Sequence, residues 1–143
     1  MFFGTYEHNL DEKGRLVIPS KFREEVGSKI YIMKGFDKSL SIYKESEFEK
    51  LSKEFDTYSF NHKTYRDYLR VRLASTFELD VDKQGRVQLP TQLLKKYNIG
   101  KEVVVIGAGD HLEVWNKSEF EAYEKEADSE FEENAENLLV LDK

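Results

Sequence analysis

The chain has 143 residues, no cysteine and a formal net charge of −6. Such a length buries one compact core or two small intertwined ones, and the absence of thiols excludes disulfides, thiolate metal sites and cysteine nucleophiles. The negative total argues against a nucleic-acid partner, which lysines and arginines hold by displacing counterions, but residues 117–143 alone carry 10 acidic and 3 basic side chains, leaving 19 basic against 18 acidic in residues 1–116.

In chain order, the opening Met1-Phe2-Phe3-Gly4 has no basic segment followed by an apolar run, and no later stretch approaches the length of a bilayer span. A cytosolic protein without a membrane partner is expected. Gly4 to Pro19 is rich in apolar and β-branched residues around Asp11-Glu12-Lys13-Gly14-Arg15, and reads as a hairpin. Asp11 caps the amides of its turn and Gly14 takes a positive backbone angle. Pro19 suits the first turn of a short helix. Ile30–Lys34 and Leu40–Lys44, split by a glycine-containing turn, form a second predicted hairpin, followed by an amphipathic helix with Ser46 as its N-cap. His62 to Leu73 has apolar residues at helical spacing and reads as a linking helix. Its Lys63, Arg66, Arg70 and Arg72 make it basic, and packing against an acidic helix is the favoured role.

From Ser75 the chain repeats itself. GTYEHNLDEKGRLVIP aligns with STFELDVDKQGRVQLP at an offset of 71, which pairs Asp11, Gly14 and Arg15 with Asp82, Gly85 and Arg86. Beyond an inserted residue near Ile99 the offset becomes 72, and Gly35 meets Gly107 and Leu40 meets Leu112. Glu102–Ile106 and Leu112–Asn116 form the second copy's later hairpin, and an acidic helix capped by Ser118 runs from Glu119 to Glu136. The remaining tail, Asn137–Lys143, carries an apolar Leu138-Leu139-Val140-Leu141 patch that suggests an oligomer contact.

The two Asp-x-x-x-Arg turns, each followed by a proline at the same distance, resemble those of the MraZ family of bacterial regulators, and the resemblance extends over nearly the whole chain. It implies an α+β fold of two pseudo-symmetric, AbrB-like swapped-hairpin β-barrel halves with flanking helices. The expected division is residues 1–56 and 74–127 for the halves, 57–73 for the linking helix and 128–143 for an acidic tail. The resemblance also implies a cytoplasmic, nucleoid-associated homo-oligomer, a ring, that binds short repeated DNA boxes upstream of its own division and cell-wall operon, usually as a repressor. DNA contact then falls on Lys13 and Arg15 in one half and Lys83 and Arg86 in the other, with Lys21 and Arg23 holding the backbone and Asp11, Gly14, Asp82 and Gly85 organising the turns. The second turn departs from the first, with Lys83-Gln84 where the first has Glu12-Lys13. The opposing reading is that each aspartate simply pairs with its own arginine to brace a hairpin. Such a surface pair contributes only about 0–1 kcal/mol, a weak reason for a sequence to carry it twice.

Other chemistry finds little support. Gly107-Ala108-Gly109 lacks the third glycine of a dinucleotide turn, since Leu112 stands there. His8, His62 and His111 have no metal-ligand spacing, and Ser20 lacks the setting of a hydrolase nucleophile. No enzyme activity, cofactor or metal is expected. The rival function is an oligomeric, antitoxin-like interaction module that binds a basic protein through the acidic C-terminal part.

Overall fold

The computed structural model describes residues 1–141. The first copy contains β1 (Thr5–Asn9), β2 (Arg15–Val17), a 3-10 turn at Ser20–Phe22, α1 (Arg23–Val26), β3 (Lys29–Lys34), β4 (Ser39–Lys44) and α2 (Glu45–Phe55). After α3 (Lys63–Ala74), the second copy supplies β5 (Phe77–Asp80), β6 (Arg86–Gln88), α4 (Thr91–Lys96), β7 (Glu102–Gly107), β8 (Leu112–Asn116) and α5 (Lys117–Ser129), followed by α6 (Phe131–Asn137).

The class is α+β, and the hairpins are swapped. The arms flanking each Asp–Arg turn do not ladder with one another as the local pattern predicts. Instead β1 pairs with β7, β5 pairs with β3, and β2 pairs with β6, all antiparallel. Arms of three to five residues bury too little on each other to stand as a lone hairpin, whereas exchange seats each arm on the opposite copy. The sheet order is β1-β7-β8-β4-β3-β5, with β2-β6 as a separate ribbon. The six-stranded sheet is open, with β1 and β5 at its edges, so the copies share one sheet and neither closes a barrel of its own. Among the described residues, only β3–β4 and β7–β8 are true hairpins.

The repeat is also a pseudo-twofold in space. Leu16 faces Val87 in the ribbon and Ser41 faces Glu113 in the sheet, pairs related by the offsets of 71 and 72. Gly27 and Asn98 occupy equivalent positions after α1 and α4, and both are left-handed, at φ 79° and 56°. The inserted Ile99 follows directly and is buried.

The main core lies between the sheet and the ribbon. Leu16, Ile18, Val87 and Leu89 meet Ile30, Ile32, Leu40, Ile42, Val103 and Val105 there. Alternation along β7 sends Val104 to the other face, where it packs with Trp115 and Phe120 beneath α5. At the N-terminus Phe2 is buried and meets Phe22 edge-to-face, with ring centroids 5.1 Å apart.

Three helix details depart from the sequence reading. Asn116, not Ser118, caps α5, its side chain accepting from the Ser118 and Glu119 amides at 3.0 and 3.4 Å. Ser46 lies inside α2, which starts at Glu45 without a side-chain cap. The acidic helix predicted over 119–136 breaks at Glu130 into α5 and α6. Like charges four apart, Glu126/Glu130 and Asp128/Glu132, each oppose continuation by a few tenths of a kcal/mol.

His111 sits between two carboxylates, with Nδ1 2.6 Å from Asp110 Oδ1 and Nε2 3.3 Å from Glu113 Oε2. Burial opposes its charged form, but hydrogen bonding to Glu113 and Asp110 outweighs burial and raises its pKa above 6.5. Because the folded value exceeds the unfolded one, this contribution to stability is fully present below pH 6.5 and is lost as pH rises through the raised value. His8 acts the other way: burial lowers its pKa, and its Nε2 has no partner among the described residues. The stability difference between the natural chain and His111→Gln, from urea unfolding, is therefore expected to shrink between about pH 5 and about pH 9. A difference that stays constant would refute the ion-pair account.

Candidate nucleic-acid interface

Each Asp–Arg turn is a closed local unit. Asp11 Oδ1 accepts from the Lys13 and Arg15 amides, both at 2.9 Å, while Oδ2 accepts from Arg15 Nε at 2.6 Å. Asp82 repeats this with the Gln84 and Arg86 amides at 2.9 and 2.8 Å and with Arg86 Nε at 2.8 Å. The backbone closes around Gly14 and Gly85, whose amides donate to Asp11 and Asp82 carbonyls and whose φ values are 78° and 79°. In both aspartates the backbone bond from the turn arginine is the leading cause that holds the pKa below the ordinary carboxylate range. They are ionised wherever DNA would be bound.

The ribbon then brings the two turns together. Arg15 is opposite Gln88 and Val17 opposite Arg86. Because side chains alternate, Arg15, Val17, Arg86 and Gln88 share one face while Leu16 and Val87 point into the core. Diagonal neighbours in such a ladder stand about 7–8 Å apart, so the two arginines form one compact pair with the turns flanking it. Each Nε is spent on its aspartate. Neither Nη of Arg15 has a hydrogen-bond partner among the described residues, and Arg86 Nη2 makes one long contact, 3.4 Å, to Gln84 Oε1. Bracing the hairpin and offering an outer guanidinium edge are thus compatible.

The other expected contact residues are less uniform. Lys13 and Lys83 lie exposed in the turns. The Lys21 ammonium is 3.9 Å from the centre of the Phe3 ring. Arg23 is tied down, its Nε donating to the Ile18 carbonyl at 3.0 Å, and it lies under the second turn. The arrangement includes a residue that the sequence reading did not single out. Gln88 Nε2 donates to the Lys13 carbonyl at 2.6 Å and so ties the second copy to the first turn. Its repeat partner is Val17, which makes this tie one-sided. The one signal in the sequence was that mismatch of Gln88 with Val17 in the alignment.

The turns also differ underneath. A Cβ at Gly85 would stand 2.3 Å from Arg23 Nε, whereas at Gly14 it would find Gln88 Nε2 and the Leu94 methyl at 3.6 Å. Leu94 is the repeat partner of Arg23. Both glycines to alanine incur the left-handed cost of about 1–2 kcal/mol, but Gly85→Ala also displaces Arg23 and breaks its bond, worth about 1 kcal/mol more. Gly85→Ala is expected to be the more destabilising in urea unfolding, and the gap should close in an Arg23→Ala background.

A family described as "MraZ protein, putative antitoxin-like" matches the chain twice, over residues 1–71 and 73–142. The chain belongs to the MraZ family. Among its MraZ relatives is a protein of Syntrophomonas wolfei named "Transcriptional regulator MraZ", 40% identical over 141 residues and covering 99% of both chains. Proteins of the same name from Mesoplasma florum and Caldanaerobacter subterraneus are 42% and 41% identical, the alignments covering 95% and 96% of those chains and 96% of this one. Among the described residues no helix is long and apolar enough to cross a membrane, and no group of three histidine or acidic side chains could hold a metal ion.

Proposed function

We propose that this chain is a DNA-binding transcription regulator whose reading element is the β2–β6 ribbon with its two Asp–Arg turns. The observation that carries this is the pair of arginines on one outward ribbon face, each oriented by a carboxylate through Nε with guanidinium edge to spare. A two-stranded ribbon fits the major groove, about 12 Å wide, and an arginine fork matches guanine O6 and N7. Lys13, Lys83 and Lys21 add point charges for phosphate, and Arg23 presents its Nη groups beside the second turn. The names of the relatives support the regulatory role. The chain works in the cytoplasm at the nucleoid as a repressor of its own division and cell-wall operon, and does so as a homo-oligomeric ring. One ribbon per subunit on repeated boxes then gains affinity through linked binding. It performs no catalysis and uses no cofactor.

Fluorescence anisotropy at fixed salt tests the reading, with DNA from upstream of the chain's own gene beside scrambled DNA. A clear preference for the native sequence supports it, and equal weak binding to both overturns it. A second reading, an antitoxin-like module, draws on the family description and on the acidity of α5 and α6. Undiminished binding to a basic protein partner by a chain lacking both turn arginines, together with no DNA preference, would favour that reading.

A further inference from the structure

The outward face of the ribbon is only half symmetric. The pseudo-twofold that exchanges β2 and β6 passes between Leu16 and Val87 and carries Arg15 onto Arg86, so the two forks are equivalent. The same operation carries Val17 onto Gln88. Each arginine therefore has a different direct neighbour across the ladder, Gln88 beside Arg15 and Val17 beside Arg86. Cβ atoms so placed stand about 4.5–5.5 Å apart, close enough for each neighbour to meet the base next to the one its arginine reads.

The unlike pair differs in chemistry as well as in shape. Val17 is 36% exposed, an isopropyl group on a face whose other three members are polar. Gln88 is exposed too, but its amide is fixed. Nε2 donates to the Lys13 carbonyl at 2.6 Å and to the Leu89 carbonyl at 3.3 Å. A flipped amide would set Oε1 against both carbonyls, so its orientation is decided. Oε1 accepts from no group among the described residues and stands as an oriented acceptor beside Arg15.

Two like arginines related by a twofold would read a short box equally well in either orientation. The turn tips differ, but the lysines there meet phosphate, which carries no sequence. Bases supply what the unlike pair needs: in the major groove cytosine N4 and adenine N6 present donors, and thymine alone presents a C5 methyl.

We propose that Val17 and Gln88 give the ribbon a direction on DNA and act as specificity-determining residues beside the arginines. Gln88 Oε1 accepts from the amino group of a cytosine or adenine next to the guanine read by Arg15. The Val17 methyls pack on the C5 methyl of a thymine next to the guanine read by Arg86. The unlike ends then fix which way round a subunit lies on its box. This rests on the reading of the ribbon as the DNA-binding element and adds to it the bases that flank the arginine contacts.

Anisotropy is measured on DNA from upstream of the chain's own gene, with each thymine in turn replaced by uracil, which lacks only the methyl. For the natural chain one such replacement is expected to weaken binding about fourfold, as loss of one methyl-sized apolar contact does. For Val17→Ser that loss should vanish. Direction is read by cleavage. The chain has no cysteine, so Glu12→Cys, in the first turn, takes a single iron chelate that cuts the DNA beside it. That turn leads into Arg15 at the Gln88 end of the ribbon, so cuts are expected on the side of the guanines away from the sensitive thymine. When Glu12→Cys is combined with Val17→Gln/Gln88→Val, the cuts should move to the thymine side, with circular dichroism checking the fold. The uracil scan uses the natural chain and decides even where an exchange variant does not fold. A natural chain that binds upstream and scrambled DNA alike overturns the reading of the ribbon and this inference with it. A clear preference with a flat uracil scan, cuts on both sides of the guanines, or cuts that stay in place after the exchange overturns this inference alone.

Discussion

Replacing Arg15 and Arg86 together by alanine is expected to lower the preference for native operator DNA over scrambled DNA by at least about 30-fold, with the fold and the oligomer intact. A well-placed arginine fork on a base edge contributes about 1–3 kcal/mol of discrimination, and two removed forks correspond to about 2 kcal/mol or more. Stability should scarcely change, because each ion pair is about one-third exposed, with arginine side chains 27% and 32% accessible, and such pairs contribute about 0–1 kcal/mol. That combination separates reading from bracing. Arginines that merely brace would leave the DNA preference untouched, and anisotropy beside a urea melt measures both quantities. Lys13→Ala should instead weaken binding to both DNAs equally and reduce its salt dependence, as loss of a phosphate contact does.

Gly107→Ala is expected to be among the most damaging single substitutions in the chain. A Cβ there would stand 2.2 Å from the Phe3 nitrogen and 2.5 Å from the Phe2 carbonyl carbon, and backbone cannot swing aside as a side-chain end can. The N-terminal segment must lift away, breaking the bond from the Gly107 amide to the Gly4 carbonyl and the reciprocal pair between Phe2 and Gly109, 2.9, 2.8 and 2.9 Å long. Phe2 then loses its place against Phe22. Loss of a buried phenylalanine costs about 3–5 kcal/mol, and at about 2–4 °C per kcal/mol in a chain of this size the melting temperature should fall by about 6–20 °C. Deleting Met1–Phe3 should lower the natural chain by a similar amount and add little to Gly107→Ala. Calorimetry on the four proteins decides it, and additive losses would show that the clash has been misplaced.

What the sequence disclosed depends on how far apart the interacting residues are. The Asp–Arg turns were legible because every contact that makes them lies within five residues, Asp11 to Arg15 and Asp82 to Arg86. The duplication was legible because the turn residues Asp11, Gly14, Arg15 and Pro19 recur in order as Asp82, Gly85, Arg86 and Pro90. Strand pairing was not, since the alternation in Thr5–Asn9 selects a face and names no partner, and β7 lies nearly the whole chain away. Arg72 read simply as one more charge on a basic helix, and only the packing of α3 on β3 reveals that it turns inward toward Lys34 and Ser41. Arg23 and Gln88 act through the repeat partner's turn, so a local reading finds charge and polarity there without the job each performs.

The exchange of strands also sets an order of events during synthesis. β1 leaves the ribosome long before its hydrogen-bonding partner, Glu102–Gly107 in the second copy. Until that partner emerges, the strand, with Phe2 beside it, has no complement in the nascent chain. Pairings so distant along the chain slow folding and lengthen the exposure of unpaired edges. A ribosome stalled between the two copies would hold a half-molecule able to complete its sheet only with another half-molecule, which makes neighbouring ribosomes on one message the natural hazard for this fold.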